Sequence, residues 1–430
     1  MSRITQVRAR QILDSRGNPA LEVEILLEDG ASGRASVPSG ASTGKAEAAE
    51  LRDGDPRVYL GRGVTQAVSN VERLIAPEVM GLDARNQRHL DEKLIALDGT
   101  ANKQRLGANA LLGVSLASAR AAAASAELPL YRYLGGVAAA ELPVPMVNVL
   151  SGGLHGGGNL DFQDYLVVPL RAETYSDALR DVTAILQAMK KTLQSRGVYA
   201  PGVADEGGYA PRLASNEAGF EVMVESIERA GLKPGKDAAI AVDVGASQFG
   251  DGRGYRFSTE DVTLTSAQLV DLLERWAGRY PIISIEDGLG EEDWEGWTAL
   301  TERLSARCQL IGDDLFVTHR DRLRRGVEQG AANAVLVKMN QVGTLSETID
   351  VVDLARRHEY RAVISARSGE TEDDSLADFA VATAAGQIKI GSVTRSERLA
   401  KYNRLLRIER QLGPCARYRG AEVFERWGGR

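Results

Sequence analysis

The chain has 430 residues, 43% of them hydrophobic and 26% charged, with a formal net charge of −7 and a pI near 5.5. That composition excludes a disordered chain and suits two globular domains with a large core, while the acidic balance leaves no basic footprint for nucleic acid or an acidic membrane. Cys308 and Cys415 are its two cysteines, in no CxxC setting, so neither a disulfide framework nor a zinc site is expected and a reducing cytoplasm fits.

Residues 1–17 carry no apolar stretch of signal-peptide type, so no export is expected. From 21 to 27 the apolar Leu21, Val23, Ile25 and Leu27 alternate with Glu22 and Glu24. Asp29-Gly30 then supplies turn chemistry and alternation resumes to 37, which predicts an antiparallel hairpin. Segment 40–45 is not a phosphate-binding P-loop, because three residues separate Gly40 from Gly44 where four are required, and Ala46 follows Lys45. Its glycines permit large backbone changes and suit a lid. Helical patterns follow over about 63–80, 86–97 and 108–127. The last is Ala-rich but interrupted by Ser115, Ser118 and Arg120, so it reads as a buried helix of small residues and not a membrane span. An α+β unit therefore occupies residues 1–135, and the stretch 135–145, with Gly136, Pro143 and Pro145, is the expected boundary.

Beyond it, short apolar runs at 165–169, 239–243, 282–286, 309–313, 334–338, 362–365 and 387–390 alternate with amphipathic helical stretches. From 243 onward their ends are spaced by roughly 25 to 43 residues, the length of a strand, a helix and loops. The fold class is thus α/β: a smaller N-terminal α+β domain, then a parallel TIM-like barrel of eight or so units over 136–430.

Active sites of such barrels lie at the carboxyl ends of the strands. The residues there are Asp243, Glu286, Asp313, Lys338 and Ser365, with Lys389 beside the end of the last run. One acid after a strand commonly caps the next helix, and one lysine is commonly solvated. Capping explains neither the order of all six nor the lysines at strand ends. Three carboxylates without His or Cys make a hard oxygen site, for which Mg²⁺ is the expected ion. A proton on carbon beside a carboxylate is very weakly acidic, and its removal concentrates charge on the carboxyl oxygens. Such a site suits that chemistry, with Lys338 as the base.

Ordered motifs run nearly end to end: Ile12-Leu13-Asp14-Ser15-Arg16-Gly17-Asn18-Pro19, Ser39-Gly40-Ala41-Ser42-Thr43-Gly44, Asp205-Glu206-Gly207-Gly208, Ser284-Ile285-Glu286-Asp287-Gly288, Gly312-Asp313-Asp314-Leu315, Val337-Lys338-Met339-Asn340-Gln341, Arg367-Ser368-Gly369-Glu370-Thr371-Glu372-Asp373 and Ala400-Lys401-Tyr402-Asn403. In these the chain resembles the enolase family, whose sites use a Lys or His base with one or two Mg²⁺ ions. The resemblance implies that Asp243, Glu286 and Asp313 are metal ligands and Lys338 the base. It implies that Lys389, with Gln163 nearby, pairs with the substrate carboxylate. Arg367 and Ser368 would hold a phosphoryl group, joined by Ser42 from the lid, which brings a second Mg²⁺. Glu206 would assist departure of the hydroxyl, with His155 close to it in the glycine-rich stretch 151–159. A small anionic substrate, and a homodimer or homo-octamer, are also implied.

The chain departs from the family pattern at several places. Ser365-Ala366-Arg367 stands for the usual Ser-His-Arg, Gln163-Asp164-Tyr165 for Gln-Glu-Phe, Ser247-Gln248-Phe249 for Ser-Glu-Phe, and Gly156-Gly157-Gly158 for bulkier residues. Ala366 and Asp164 fall where the family handles the leaving hydroxyl, so enolate formation is expected to persist and elimination to be altered. The expectation is a specialised member acting on a 2-phosphoglycerate-like or phosphonate-bearing acid, in the manner of a carboxyphosphonoenolpyruvate synthase of phosphonate antibiotic pathways. Glycolytic enolase activity, and a non-catalytic binding protein of the same fold, are the alternatives.

Overall fold

The computed structural model describes residues 2–40, 44–198, 200 and 202–427. Its first part is a three-stranded antiparallel sheet of β1 (Ile4–Leu13), β2 (Pro19–Leu27) and β3 (Ser32–Val37), in the order β1-β2-β3. The predicted hairpin is β2–β3. β1 is an addition, since Gln6, Arg8, Arg10 and Gln11 blur its alternation in the sequence. The region read as helical from 63 to 80 is α1 (Thr65–Asn70), a π turn (Val71–Ile75) and α2 (Ala76–Val79), with Ala67, Val71, Ile75 and Val79 buried as one stripe. α3 (Gln87–Asp98), α4 (Ala108–Ser125) and α5 (Leu130–Gly135) follow.

α4 packs on the sheet because its residues are small. A Cβ at Gly33 of β3 would lie 2.2 Å from the Ala121 nitrogen, and one at Gly113 would lie 2.6 Å from the Val23 side chain. Among the described residues no helix is long and apolar enough to cross a membrane.

The second part begins with β4 (Glu141–Leu142) and continues with β5 (Val144–Ser151), β6 (Asp164–Pro169), α6 (Tyr175–Ser195), α7 (Asn216–Arg229) and β7 (Ala238–Asp243). A small ribbon, β8 (Tyr255–Phe257) and β9 (Val262–Leu264), precedes α8 (Ser266–Arg279) and β10 (Ile282–Glu286). Strand and helix then alternate through α9 (Trp294–Leu304), β11 (Gln309–Gly312), α10 (Arg320–Gln329), β12 (Ala334–Val337), α11 (Leu345–Arg357), β13 (Arg361–Ser365), α12 (Ser375–Ala382), β14 (Gly386–Gly391) and α13 (Ser396–Leu412). β15 (Arg417–Tyr418) pairs with β4. Among the described residues eight strands close a barrel in the order β10-β11-β12-β13-β14-β5-β6-β7. The expected α+β unit followed by a TIM-like barrel is therefore the fold.

In two respects the barrel differs from the reading of the sequence. β5 was not among the apolar runs, because Pro143 and Pro145 suggested a linker, yet Pro145 lies near the start of a barrel strand opposite Ile388. The barrel is also not wholly parallel, because β6 runs antiparallel to both β5 and β7. The glycine-rich connection 152–163 contains no helix, so β6 returns beside β5 as a hairpin instead of crossing over. Its first residue consequently sits at the rim where its neighbours end.

Side chains of Met146, Leu166, Ala241, Ile311, Leu336 and Val363 pack together in a core cluster drawn from the barrel strands. Buried Gln309 and Gln387 exchange two amide hydrogen bonds of 2.9 and 2.7 Å, so neither polar group is left unsatisfied. The N-terminal sheet reaches the rim through Ser39 and Gly369, whose backbones exchange hydrogen bonds of 2.8 and 3.0 Å. A Cβ at Gly369 would lie 2.7 Å from the Asp14 carboxylate, which explains the glycine.

Candidate active site

Asp243 ends β7, Glu286 ends β10, Asp313 follows β11, Lys338 follows β12, and Lys389 lies near the end of β14. All five are brought to one rim. The Lys389 ammonium donates to Asp243 Oδ2 at 2.8 Å and to both Glu286 oxygens at 2.8 Å. Lys338 Nζ donates to Asp313 Oδ2 at 2.5 Å, and Gln341 Nε2 donates to Asp313 Oδ1 at 3.1 Å. Three carboxylates and two ammonium groups thus neutralise much of one another's charge out of water, where unpaired charges would be costly. Burial is the largest influence on the Lys338 pKa and acts to lower it, but the Asp313 carboxylate, with Glu286 adding to it, leaves the amine above its ordinary value. The same competition, with Asp243 and Glu286 as the anions, sets Lys389 well above the ordinary lysine value. With the acids paired to amines alone, the amine is held as ammonium.

Asp164 begins β6, is fully buried, and pairs in register with both Ser151 and Asp243. Its Oδ1 accepts from Asn148 Nδ2 at 2.5 Å and Ser151 Oγ at 2.8 Å, and its Oδ2 faces His155 Nδ1 at 2.8 Å. The His155 loop turns on positive φ at Gly153, Gly157 and Gly158, a conformation in which glycine carries no steric cost. One ligand-capable atom from each of His155, Asp164 and Glu206 lies within 4.8 Å of the others. Burial disfavours the charged ring, but Asp164 and Glu206 outweigh it and push His155 up to about 9. Burial also acts to raise Glu206, and His155, Arg398, Lys389 and Lys338 together bring it below the ordinary value. Glu206 is thus held as a carboxylate.

Arg367 follows β13. Its Nη1 donates to Glu47 Oε2 and Asn340 Oδ1, each at 3.0 Å, and its Nη2 to Glu47 Oε1 at 3.2 Å. Ser368 and Ala366 flank it and are buried. The loop is pinned from α13: fully buried Arg398 donates to the carbonyls of Arg367 and Ser368 at 2.6 and 2.7 Å. Gln163 donates from Nε2 to Asp243 Oδ2 at 3.0 Å. Ser42 lies outside the described residues. Lys45 is exposed, with its Nζ 3.4 Å from Glu291 Oε1 in the loop after β10.

Family models described as "Enolase, N-terminal domain" and "Enolase, C-terminal TIM barrel domain" match residues 4–134 and 139–427. The chain belongs to the enolase family. Within this enolase-family rim, several residues were given no role in the sequence reading. Asp287, at φ 43°, accepts the backbone N–H groups of Asp313 and Asp314 at 2.9 Å each and so aims Asp313. Its adjacency to Glu286 was the available signal. Gln341 lies three residues beyond Lys338, but Glu47 is 320 residues from Arg367 and no local pattern links them.

Among the described residues of this enolase-family chain, the groups whose ligand atoms converge within 4.8 Å and could hold a metal are His155, Asp164 and Glu206, and Asp287, Asp313 and Asp314, so that of the three expected ligands only Asp313 belongs to such a group. The donor set of Asp243, Glu286 and Asp313 is all carboxylate oxygen, which suits a hard cation. The two ammonium groups lying on it show that the chain concentrates negative charge there.

Proposed function

We propose that this enolase-family protein is a carbon–oxygen lyase, or a related enolpyruvate-forming enzyme. It would remove the proton beside the carboxylate of a three-carbon acid carrying a phosphoryl or phosphonate group. The observation that supports this most directly is the pair of ion-paired groups at the strand ends of the barrel, Lys389 with Asp243 and Glu286, and Lys338 with Asp313. Asp243, Glu286 and Asp313 would hold one Mg²⁺, with a second arriving with substrate and Ser42. When bound, Mg²⁺ supplies positive charge for the developing dianion and relieves the carboxylate hold on the Lys338 proton.

Lys338 is the base in this reading. Lys389 and Gln163 orient the substrate carboxylate, and Arg367 and Ser368, with Ser42, grip the phosphorus-bearing group. Glu206 serves the leaving hydroxyl, and His155, oriented through Nδ1 by Asp164, presents its other nitrogen to that end of the site. The protein is read as an N-terminal domain, 1–135, carrying the lid, and a barrel domain, 136–430, in a cytoplasmic homodimer or homo-octamer.

Both oxygens of Asp164 are engaged by Asn148, Ser151 and His155, and Ala366 offers no imidazole. The handling of the leaving group is thereby reduced to Glu206 with His155. That supports a specialised paralogue such as a carboxyphosphonoenolpyruvate synthase, with Ala366 making room for a larger head group. Glycolytic dehydration of 2-phosphoglycerate is the second reading, favoured by the intact Lys338, Glu206 and metal carboxylates.

A coupled assay for phosphoenolpyruvate from 2-phosphoglycerate and Mg²⁺, run beside α-proton exchange in deuterated solvent, separates these readings. Turnover of about 10 s⁻¹, an ordinary enzyme rate, establishes the glycolytic reading. Exchange without comparable product supports the paralogue. Absence of exchange together with absence of Mg²⁺ binding by calorimetry supports a non-catalytic protein.

A further inference from the structure

Gln163 and Gln248 form a one-way line of amides ending on Asp243. Gln248, in the turn after β7, accepts the Leu154 backbone N–H on its Oε1 at 3.4 Å. With its oxygen turned to that donor, its Nε2 donates to Gln163 Oε1. Gln163 in turn has its Nε2 left to donate, and gives it to Asp243 Oδ2 at 3.0 Å. Each amide carries a donor at one end and an acceptor at the other, so fixing the first member fixes the polarity of the second.

The surrounding backbone is shaped for this pair. Gly245 and Gly153 both have positive φ, 60° and 48°. A Cβ at Gly245 would lie 3.3 Å from Gln163 Cβ and from Gln248 Nε2, and one at Gly153 would lie 3.2 Å from Gln248 Oε1. The root of Gln163 is fixed from both sides, its N–H donating to the Asp243 carbonyl at 3.0 Å and its carbonyl accepting from Gly152 at 2.8 Å. Only the terminal amide of Gln163 is free to choose an orientation, and Gln248 at its oxygen and Asp243 at its nitrogen agree on one.

We infer that Gln248 is a positioning residue that makes Gln163 a hydrogen-bond donor toward the rim, and so a selector for an anionic oxygen of the substrate. A glutamate at 248, the residue the resemblance leads one to expect there, only accepts. It would take the Leu154 N–H and compete with Asp243 for the Gln163 Nε2, and with a cation held at Asp243 the amide would reverse and turn Oε1 to that cation. The donor that favours a substrate carboxylate would become an acceptor that favours a cation. This inference rests on the reading that a metal and a substrate carboxylate meet beside Asp243.

The test is a double-mutant cycle read by calorimetry, with Mg²⁺ alone and with 2-phosphoglycerate at saturating Mg²⁺ as the probes. Gln248→Glu should weaken 2-phosphoglycerate binding about 10-fold, the scale of a lost hydrogen bond to a charged group, and leave Mg²⁺ binding unchanged or tighter. Added charge alone would act in the same directions, so the cycle includes Gln163→Leu, which removes the amide but leaves the charge. In that background Gln248→Glu should change both affinities by less than about 3-fold. An equal effect in both backgrounds, or parallel weakening of both probes, overturns the inference while leaving the site reading intact. A wild-type protein that binds neither probe overturns the site reading and this inference with it.

Discussion

Asp164, the first residue of β6, stands directly across from Asp243, the last residue of β7. The pairing exists because β6 runs against both neighbours, so a residue that begins a strand reaches the same rim as residues that end theirs. It brings the His155–Asp164 pair beside the carboxylate of Asp243. It also places one altered position of the family pattern, Asp164, within the constellation that remains intact.

If Asp164 and Ala366 are what alters elimination, Asp164→Glu combined with Ala366→His should raise phosphoenolpyruvate formation from 2-phosphoglycerate about 10-fold or more. Single-turnover assays of the double variant and the parent measure this. No gain would remove the leaving-group argument for a specialised enzyme.

Lys338→Ala should abolish exchange of the α-proton with deuterated solvent, a loss of about 10²-fold or more as expected for a missing general base. Glu206→Gln should slow product formation by a similar factor while exchange stays measurable by NMR. Normal exchange in Lys338→Ala would show that another group is the base.

Lys389→Met removes the ammonium shared by Asp243 and Glu286 and leaves two buried carboxylates without it. Stranding a buried charge in this way should cost about 3 kcal/mol or more. Thermal unfolding should therefore fall markedly without metal and recover when Mg²⁺ is added, since a cation binding the native state alone stabilises it. A variant as stable as the parent in chelator would show that the carboxylates are compensated elsewhere.

Thiol titration should distinguish the two cysteines. Burial pushes Cys308 up to about 12, and its Sγ faces the Ile282 carbonyl at 3.4 Å, whereas Cys415 is exposed. At pH 8 the thiolate fraction of Cys308 is about 10⁻⁴, so one thiol should react quickly with a disulfide reagent in the native protein and two in denaturant. Two fast native thiols would mean that β11 and its surroundings open readily.

Much of the site was legible because barrel strands announce themselves. An apolar run ends, and the next residue is Asp313 or Lys338, so chemistry appears at a position whose place in the fold is already implied. Gln163 and Asp164 were legible only through resemblance, since they precede a run instead of closing it. The clamp of Asp287 on two backbone N–H groups was hidden because it depends on a positive φ that no alternation reveals.

Local order and chain spacing, taken from the sequence by itself, determined the α+β unit, the recurring strand and helix, and the acids and amines at strand ends. Only the folded chain decided the direction of β6, the grip of Glu47 on Arg367 and the orientation imposed by Gln248 on Gln163. Periodicity records which face of an element is buried. It carries no record of which distant side chain arrives there, because that is set by packing between segments tens to hundreds of residues apart.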